Sequence, residues 1–384
     1  MLEKFLNFTR DLYDPTASGK FIPLHEPRIS QREKDLVQDC IDSTFISSVG
    51  EYVGKFEKMI SEYTNIPFAI ATTNGTSALH LSLVALGVGQ GDLVLAQALS
   101  FIATANPIAY CGASPVFIDS AKDNLGMCPE KLEDFLKKET MINAQGVCVH
   151  KASGRAIKVC IPMHVFGHPV KMDEIAAICE KHHIAVLEDA AEALGSFYKG
   201  QHVGRAGKLS IFSFNGNKIV TCGGGGMIVT SDPELAKRIK HLSTTAKVPH
   251  AWEFVHDEVG YNYRLPNLNA AFACAQMEKI TEFVEDKRKT AESYRQFFAS
   301  VGTRFIVEPA NCRSNYWLNA IQLESLQERD EFLKASNAKG VMARPIWKLL
   351  PTLPMYKGSI STSLENASFY EARIVNIPSS VRSC

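Results

Sequence analysis

The chain is predicted to fold as an α/β protein, with a large domain on a mainly parallel sheet between helices and a smaller α/β domain toward the C-terminal end. Two observations carry this. Short apolar runs of strand length alternate with helical patterns from Phe68 to about Ser231, and strands that alternate with helices build a parallel sheet covered on both faces. With 384 residues the chain is also longer than one ordinary domain. The reading divides it into an N-terminal helix and linker at 1–20, a large domain at 21–266 and a small domain at 267–384. No internal repeat or long low-complexity segment breaks the pattern.

Composition narrows the function classes. Lys+Arg and Asp+Glu both total 41, so bulk charge does not suggest nucleic-acid binding. The ten cysteines include no CxxC pair. They read as free thiols in a reducing, cytoplasmic setting rather than as a disulfide frame or zinc site. The opening stretch places Leu2, Phe5, Leu6 and Leu12 at helical spacing with charges between. It is too polar for a signal peptide or a membrane span, and reads as an amphipathic helix packed on the body or on a partner subunit. Its polar face lacks the basic enrichment of a membrane-surface helix.

In chain order, Asp14–Lys20 is a polar linker, and Pro23 and Pro27 keep the next stretch extended. Ser30 with Glu33 fits a capping box for a helix to about Ile41. The chain turns near Gly50 into a second helix. Phe68–Thr72 is a short buried strand, and TNGTS (Thr73–Ser77) leads into an apolar helix. The free amides of Gly75, Thr76 and Ser77 at that helix start suit an anion, although an ordinary N-cap looks alike. Strands follow at Leu93–Ala96, Pro115–Asp119, Lys158–Met163 and from Ala185, with helices between. Phe101, after the second strand, suits a core position at the opening of a helix. Asp189 closes its strand, where ligands of parallel sheets sit, and also suits a helix N-cap. Beyond the strand MIVTS, Ser231 with Glu234 suggests a cap for a helix to about Leu242. One helix is expected from Asn267 to about Ser300, then a strand near Phe305, a strand in Tyr316–Leu323 and a helix from Leu326 to about Lys339. His164, His168, His182 and His183 match no metal-ligand spacing, so no metal is expected.

The centre of the chemistry is FSFNGNKIVTCGGGG, Phe212–Gly226. It sets Lys218 between a strand-like run and four glycines, where a lysine shielded from water can act as a nucleophile and a glycine run lets backbone and ligand come close. A surface lysine in a turn is the plain alternative. Ser213 stands five residues ahead, placed to donate to an anion.

The pattern Ser213-Phe214-x-x-x-Lys218 followed by glycines, with EDAA at Glu188–Ala191, TNGTS and GYNYR at Gly260–Arg264, resembles the DegT/DnrJ/EryC1/StrS aminotransferases from about Phe21 to at least Tyr356. The resemblance implies a fold-type-I transferase with a seven-stranded sheet and pyridoxal 5′-phosphate (PLP) held by Lys218. Asp189 would face the ring nitrogen, and Phe101 would stack on the ring. Ser213, Gly75, Thr76 and Ser77 would hold the phosphate, together with Asn262 of the other subunit of a homodimer. Glu192 stands where many relatives have glutamine or histidine near the cofactor's phenolic oxygen; two adjacent oxyanions would share a proton there. Ser47, Ser48, Gly50, Tyr316, Arg344 and Trp347 are the substrate-facing positions it implies, and L-glutamate the amino donor. PLHEP, SSVGEYV, SFNGNK and ARPIW look most like the branch acting on UDP-linked 4-keto-6-deoxy-N-acetylglucosamine for legionaminic acid and bacillosamine. A dTDP- or GDP-sugar enzyme and a non-catalytic regulator on this fold are the alternatives.

Overall fold

The computed structural model describes residues 1–382. Its large sheet has seven strands: β1 (Phe68–Thr72), β2 (Leu93–Gln97), β3 (Ser114–Ile118), β4 (Ile157–Ile161), β5 (Ala185–Asp189), β6 (Leu209–Ser213) and β7 (Gly226–Thr230). Their order is β1-β7-β6-β5-β4-β2-β3. Every neighbouring pair is parallel except those made by β7, which runs antiparallel to β1 and β6. The expected mainly parallel sheet between helices is therefore present. Strands β2, β4 and β5 are buried almost throughout, the continuous apolar pattern of a sheet covered on both faces.

The smaller sheet holds β8 (Arg304–Phe305), β9 (Asn319–Gln322), β10 (Arg344–Pro345) and β11 (Ile374–Ile377), in the order β8-β9-β11-β10. The N-terminal helix, Leu2–Tyr13, packs on this part of the molecule. Phe5 and Leu6 join Tyr294, Phe298, Phe305, Ile321 and Val375 in one apolar cluster. Ile22 then bridges to Val341, and Ser379 donates its amide to the Leu24 carbonyl at 2.7 Å.

Local chemistry decides several boundaries. The Ser30 amide donates to Glu33 at 2.7 Å, closing the expected capping box on helix Gln31–Asp42. Helix Pro233–Ser243 is capped by Asp232 rather than Ser231: its carboxylate accepts from the amides of Glu234 and Leu235 at 2.9 and 3.1 Å. A carboxylate at a helix start also meets the dipole, which a hydroxyl does only weakly. The single helix expected over Asn267–Ser300 is two, Asn267–Met277 and Ile280–Ser300. The first is buried nearly all round and packs with Phe56, Phe212 and Phe214, while the second turns its apolar side to the N-terminal helix. Glu278 sits at the break, held by Arg32 through two hydrogen bonds of 2.9 and 3.0 Å.

Among the described residues, no helix is long and apolar enough to cross a membrane.

Candidate functional site

The sheet places three strand ends along one edge. Thr72, Gly226 and Ser213 form a row across β1, β7 and β6, and Asp189 pairs with Ile211 two residues deeper. Helix Gly75–Ala85 starts above that row. Gly75 lies against Ser213: a side chain there would put its Cβ 3.0 Å from Ser213 Cβ and 3.2 Å from Ser213 Oγ. Below, a Cβ on Gly226 would come 2.4 Å from the Asn74 carbonyl oxygen. The glycine run thus admits the chain's own helix cap as closely as any ligand.

The helix start differs from its sequence reading in one donor. Asn74 caps the helix by accepting the Ser77 amide at 2.8 Å, so that amide is spent. The Ser77 hydroxyl accepts from Thr73 Oγ1 at 3.0 Å. The amides of Gly75 and Thr76 have no acceptor among the described residues and remain for an anion, next to the Ser213 hydroxyl.

Lys218 stands in the turn after β6, its own amide bonded to the Asn215 carbonyl at 2.9 Å. Its side chain is only 12% exposed. The amine donates to Glu192 Oε1 at 3.2 Å and lies 3.8 Å above the centre of the Trp317 ring. Glu192 is buried, and its second oxygen accepts the Phe166 amide at 2.9 Å. Burial pushes its carboxyl up to about 7, with Lys218 and the Phe166 amide pulling the other way. The structure thus turns Glu192 toward the lysine.

Asp189 is buried at the end of β5 and accepts from Thr104 Oγ1 at 2.7 Å and the Ala191 amide at 3.2 Å. No helix begins there, so the N-cap alternative does not apply. Burial raises its carboxyl above the usual range despite those donors and the Lys218 charge. Behind it lies a fully buried pair. The Val170 amide donates to His164 Nδ1 at 3.1 Å, which leaves the proton on Nε2 to donate to Glu188 at 3.1 Å. Glu188 also accepts the amides of Gly204, Ala206 and Gly207 at 2.6, 2.8 and 2.8 Å. Burial pushes its carboxyl up, but these donors outweigh it and the net direction is down. His164 and His168 are core side chains.

The other named positions separate. Phe101 is 49% exposed, 6.5 Å from the Trp347 ring, and opens the short helix that carries Thr104. An exposed ring here is not a core phenylalanine. Trp347 also meets Phe166 at 5.1 Å. Tyr316 departs from its expected place: it is buried beside Phe305 and His168, and its hydroxyl accepts the Glu308 amide at 3.0 Å. Arg344 is exposed, and among the described residues its guanidinium donates to the neighbouring Ala343 carbonyl at 3.4 Å. Ser47 and Ser48 lie on the loop before helix Glu51–Thr64, Gly50 is that helix's N-cap, and the Ser47 carbonyl accepts the Asn267 amide at 2.7 Å. Asn262 is exposed and accepts from Arg264 Nε at 3.1 Å. Its loop runs beside the end of β1, where the Thr73 amide donates to the Tyr263 carbonyl at 3.0 Å.

Sequence reasoning missed Thr104, Phe166 and Trp317. Only Trp317 left a usable signal, being the second aromatic of YWLNAI. Tyr316 takes a positive φ of 47° ahead of the strand that begins at Asn319, and the tryptophan, not the tyrosine, meets the lysine.

The residues present fit PLP. A carboxylate held away from water wants a cationic N–H against it, which a protonated pyridine nitrogen supplies. The two unspent amides and the Ser213 hydroxyl suit a phosphate, and Lys218 is the amine within the same site. When bound, the cofactor withdraws electrons from the substrate carbon; binding, orientation and proton movement fall to the residues just described.

Comparison with known proteins agrees. The DegT/DnrJ/EryC1/StrS aminotransferase family profile matches residues 27–383. The chain is 36% identical over 337 residues to a GDP-perosamine synthase of Escherichia coli O157:H7, covering 88% of this chain and 87% of that one. It is 35% identical over 362 residues to a GDP-perosamine synthase of Caulobacter vibrioides, covering 93% and 92%. The crystal structure of a family aminotransferase from Brucella abortus superimposes with a TM-score of 0.83 at 27% identity, covering 91% of this chain and 90% of that chain. A lysine, a buried aspartate and an anion cradle on one sheet edge, in a chain matched along nearly its whole length, thus place it in the DegT/DnrJ/EryC1/StrS family of PLP-dependent aminotransferases.

Proposed function

We propose that this aminotransferase moves an amino group from L-glutamate to the C4 keto group of a nucleotide-linked 6-deoxyhexose. The observation that carries the reading is Lys218 held in one site with Asp189 and Glu192, above unspent amides at a helix start. In it, Lys218 binds the cofactor and moves the proton between cofactor and substrate carbon. Asp189 holds the ring nitrogen protonated, and Gly75, Thr76 and Ser213 hold the phosphate.

For the nucleotide we favour GDP. Both curated relatives described above bear the name GDP-perosamine synthase, which moves the assignment away from the UDP-linked branch that short phrases suggested. A UDP-linked 4-keto-6-deoxy-N-acetylhexosamine is the second reading, supported by PLHEP, SSVGEYV and ARPIW. Purified enzyme with L-glutamate should be offered the GDP- and UDP-linked keto sugars separately. Mass spectrometry should show the keto oxygen replaced by an amine on the GDP sugar. Conversion of the UDP sugar alone would select the second reading, and conversion of neither would overturn both.

The active site is proposed to be shared between two subunits. Asn262 is exposed and spends only its oxygen, on Arg264, and a dianionic phosphate carries more lone pairs than one subunit's donors fill. In a two-fold dimer each loop would complete the other's site. Lys218→Ala and Asn262→Ala should each be poor as homodimers. Mixed and allowed to exchange, they should recover roughly one quarter of wild-type activity, since half the dimers are mixed and each has one intact site. Verified mixed dimers without recovery would mean either that Asn262 serves its own subunit's site or that the two sites depend on each other. The division at 1–20, 21–266 and 267–384 remains a proposal that limited proteolysis can test.

A further inference from the structure

Trp317 and its neighbours form a hook that reaches from the smaller sheet into the site. The residues lie just ahead of β9, and each step is held by a hydrogen bond. Ser314 Oγ donates to the Gly167 carbonyl at 2.9 Å, and the Asn315 amide donates to Ser196 Oγ at 2.9 Å. The Asn315 side-chain amide donates to the carbonyls of Glu192 and Leu194, both at 2.9 Å. Its oxygen accepts the Trp317 amide at 2.8 Å. Finally, the indole N–H of Trp317 donates to the Asn217 carbonyl at 2.7 Å. Asn217 immediately precedes Lys218, and the Lys218 amine rests on the face of the same indole at 3.8 Å.

We propose that Trp317 is a positioning residue for Lys218, clipping the lysine's turn through its ring N–H and seating the amine on its ring face while Asn315 fixes the adjoining Glu192 loop. The inference rests on the reading of Lys218 as the cofactor-binding lysine.

Two physical terms combine. A cation over an indole is attracted by the ring face, more strongly where water is excluded, and Trp317 is only 4% exposed. The N–H bond adds an outside anchor to a turn whose residues 215–217 are largely solvent-facing and whose other bonds among the described residues are its own, Lys218 amide to Asn215 carbonyl and Asn215 to Asn217. Both come from a segment that leads into the smaller sheet and is tied by Ser314 and Asn315 to the loops that follow β4 and β5.

The test separates positioning from folding and from general cofactor affinity. Trp317→Phe keeps an aromatic face and loses the N–H; Trp317→Leu loses both. PLP is added to the cofactor-free protein, and the rate at which visible absorbance develops is followed. In parallel, 4-deoxypyridoxine 5′-phosphate, which lacks the aldehyde, reports binding that does not involve the lysine. Trp317→Leu should slow capture by about tenfold, Trp317→Phe by about threefold, with affinity for the aldehyde-free analogue within twofold of wild type. Unchanged capture rates in folded variants would overturn the proposal, and so would an equal loss for PLP and the analogue. Trp317→Phe keeps the test available if the leucine variant does not fold. Wild-type protein that captures no PLP on Lys218 would instead sink the underlying reading.

Discussion

Replacing Lys218 by alanine should abolish transamination, lowering kcat by about 10⁴-fold or more, while the protein still binds PLP without a covalent link. The two outcomes separate because they reside on different elements. The amine comes from the turn after β6, where Glu192 and Trp317 hold it. The proposed phosphate donors lie at the start of helix Gly75–Ala85 and on Ser213, and the substitution touches neither. In wild-type protein, borohydride should fix the cofactor to Lys218, and peptide mapping should find the label on that residue alone. A label on another lysine would remove the centre of the assignment. Loss of PLP binding together with the label would show that the cradle is weaker than its donors suggest.

Asp189→Asn should lower kcat by about 10²–10³-fold with the cofactor still bound, and Glu192→Gln by about tenfold or less. Asparagine fills the same space and keeps the Thr104 contact, but it carries no charge to hold a protonated ring nitrogen. Glutamine at 192 keeps an oxygen for Lys218 or for the Phe166 amide. Glu192 also leaves a pH signature. Its folded-state carboxyl is raised to about 7, with burial as the largest cause, and the ordinary value is about 4.3. The folded chain therefore binds the proton more tightly than the unfolded one. The stability this group contributes is present at acid pH and is lost as pH rises through the window from about 4.3 to 7. Thermal melts of cofactor-free Glu192→Gln should lack that decline. Equal kcat losses for the two variants, with cofactor fully bound, would count against the division of roles.

The large sheet was legible because burial on both faces writes itself into strands as continuous apolar runs, as in Leu93–Gln97 and Ala185–Asp189. Lys218, Asp189 and the Gly75 turn were legible because each sits at a strand end or helix start with its own local pattern. Trp317 and Thr104 were not. Each reaches the site from an element far along the chain, and only packing decides which neighbour faces inward. Tyr316 was misplaced for that reason: it lies in an irregular segment ahead of β9 with a left-handed backbone, and no residue type there announces it. The Ser77 amide was misread as free because Asn74, one residue outside the helix, takes it. The GDP-sugar assignment has no physical signature in the residues at all; it rests on relatives.

The N-terminal arm has a consequence for how the protein is made. Arg10 donates to the Lys339 carbonyl across 329 residues of chain, Ile22 lies beside Val341, and Leu24 receives the amide of Ser379. Helix Leu2–Tyr13 thus waits during synthesis for Ala291 and the residues beyond it before it has a place. At a synthesis rate of about 5–20 residues per second, Phe5 and Leu6 remain without their apolar partners for tens of seconds. During that interval the large sheet, whose strands end at Thr230, can already be assembled. A growing chain stalled before Ala291 would carry a finished sheet and a loose, apolar helix Leu2–Tyr13, and chaperones that grip short apolar segments should engage it there.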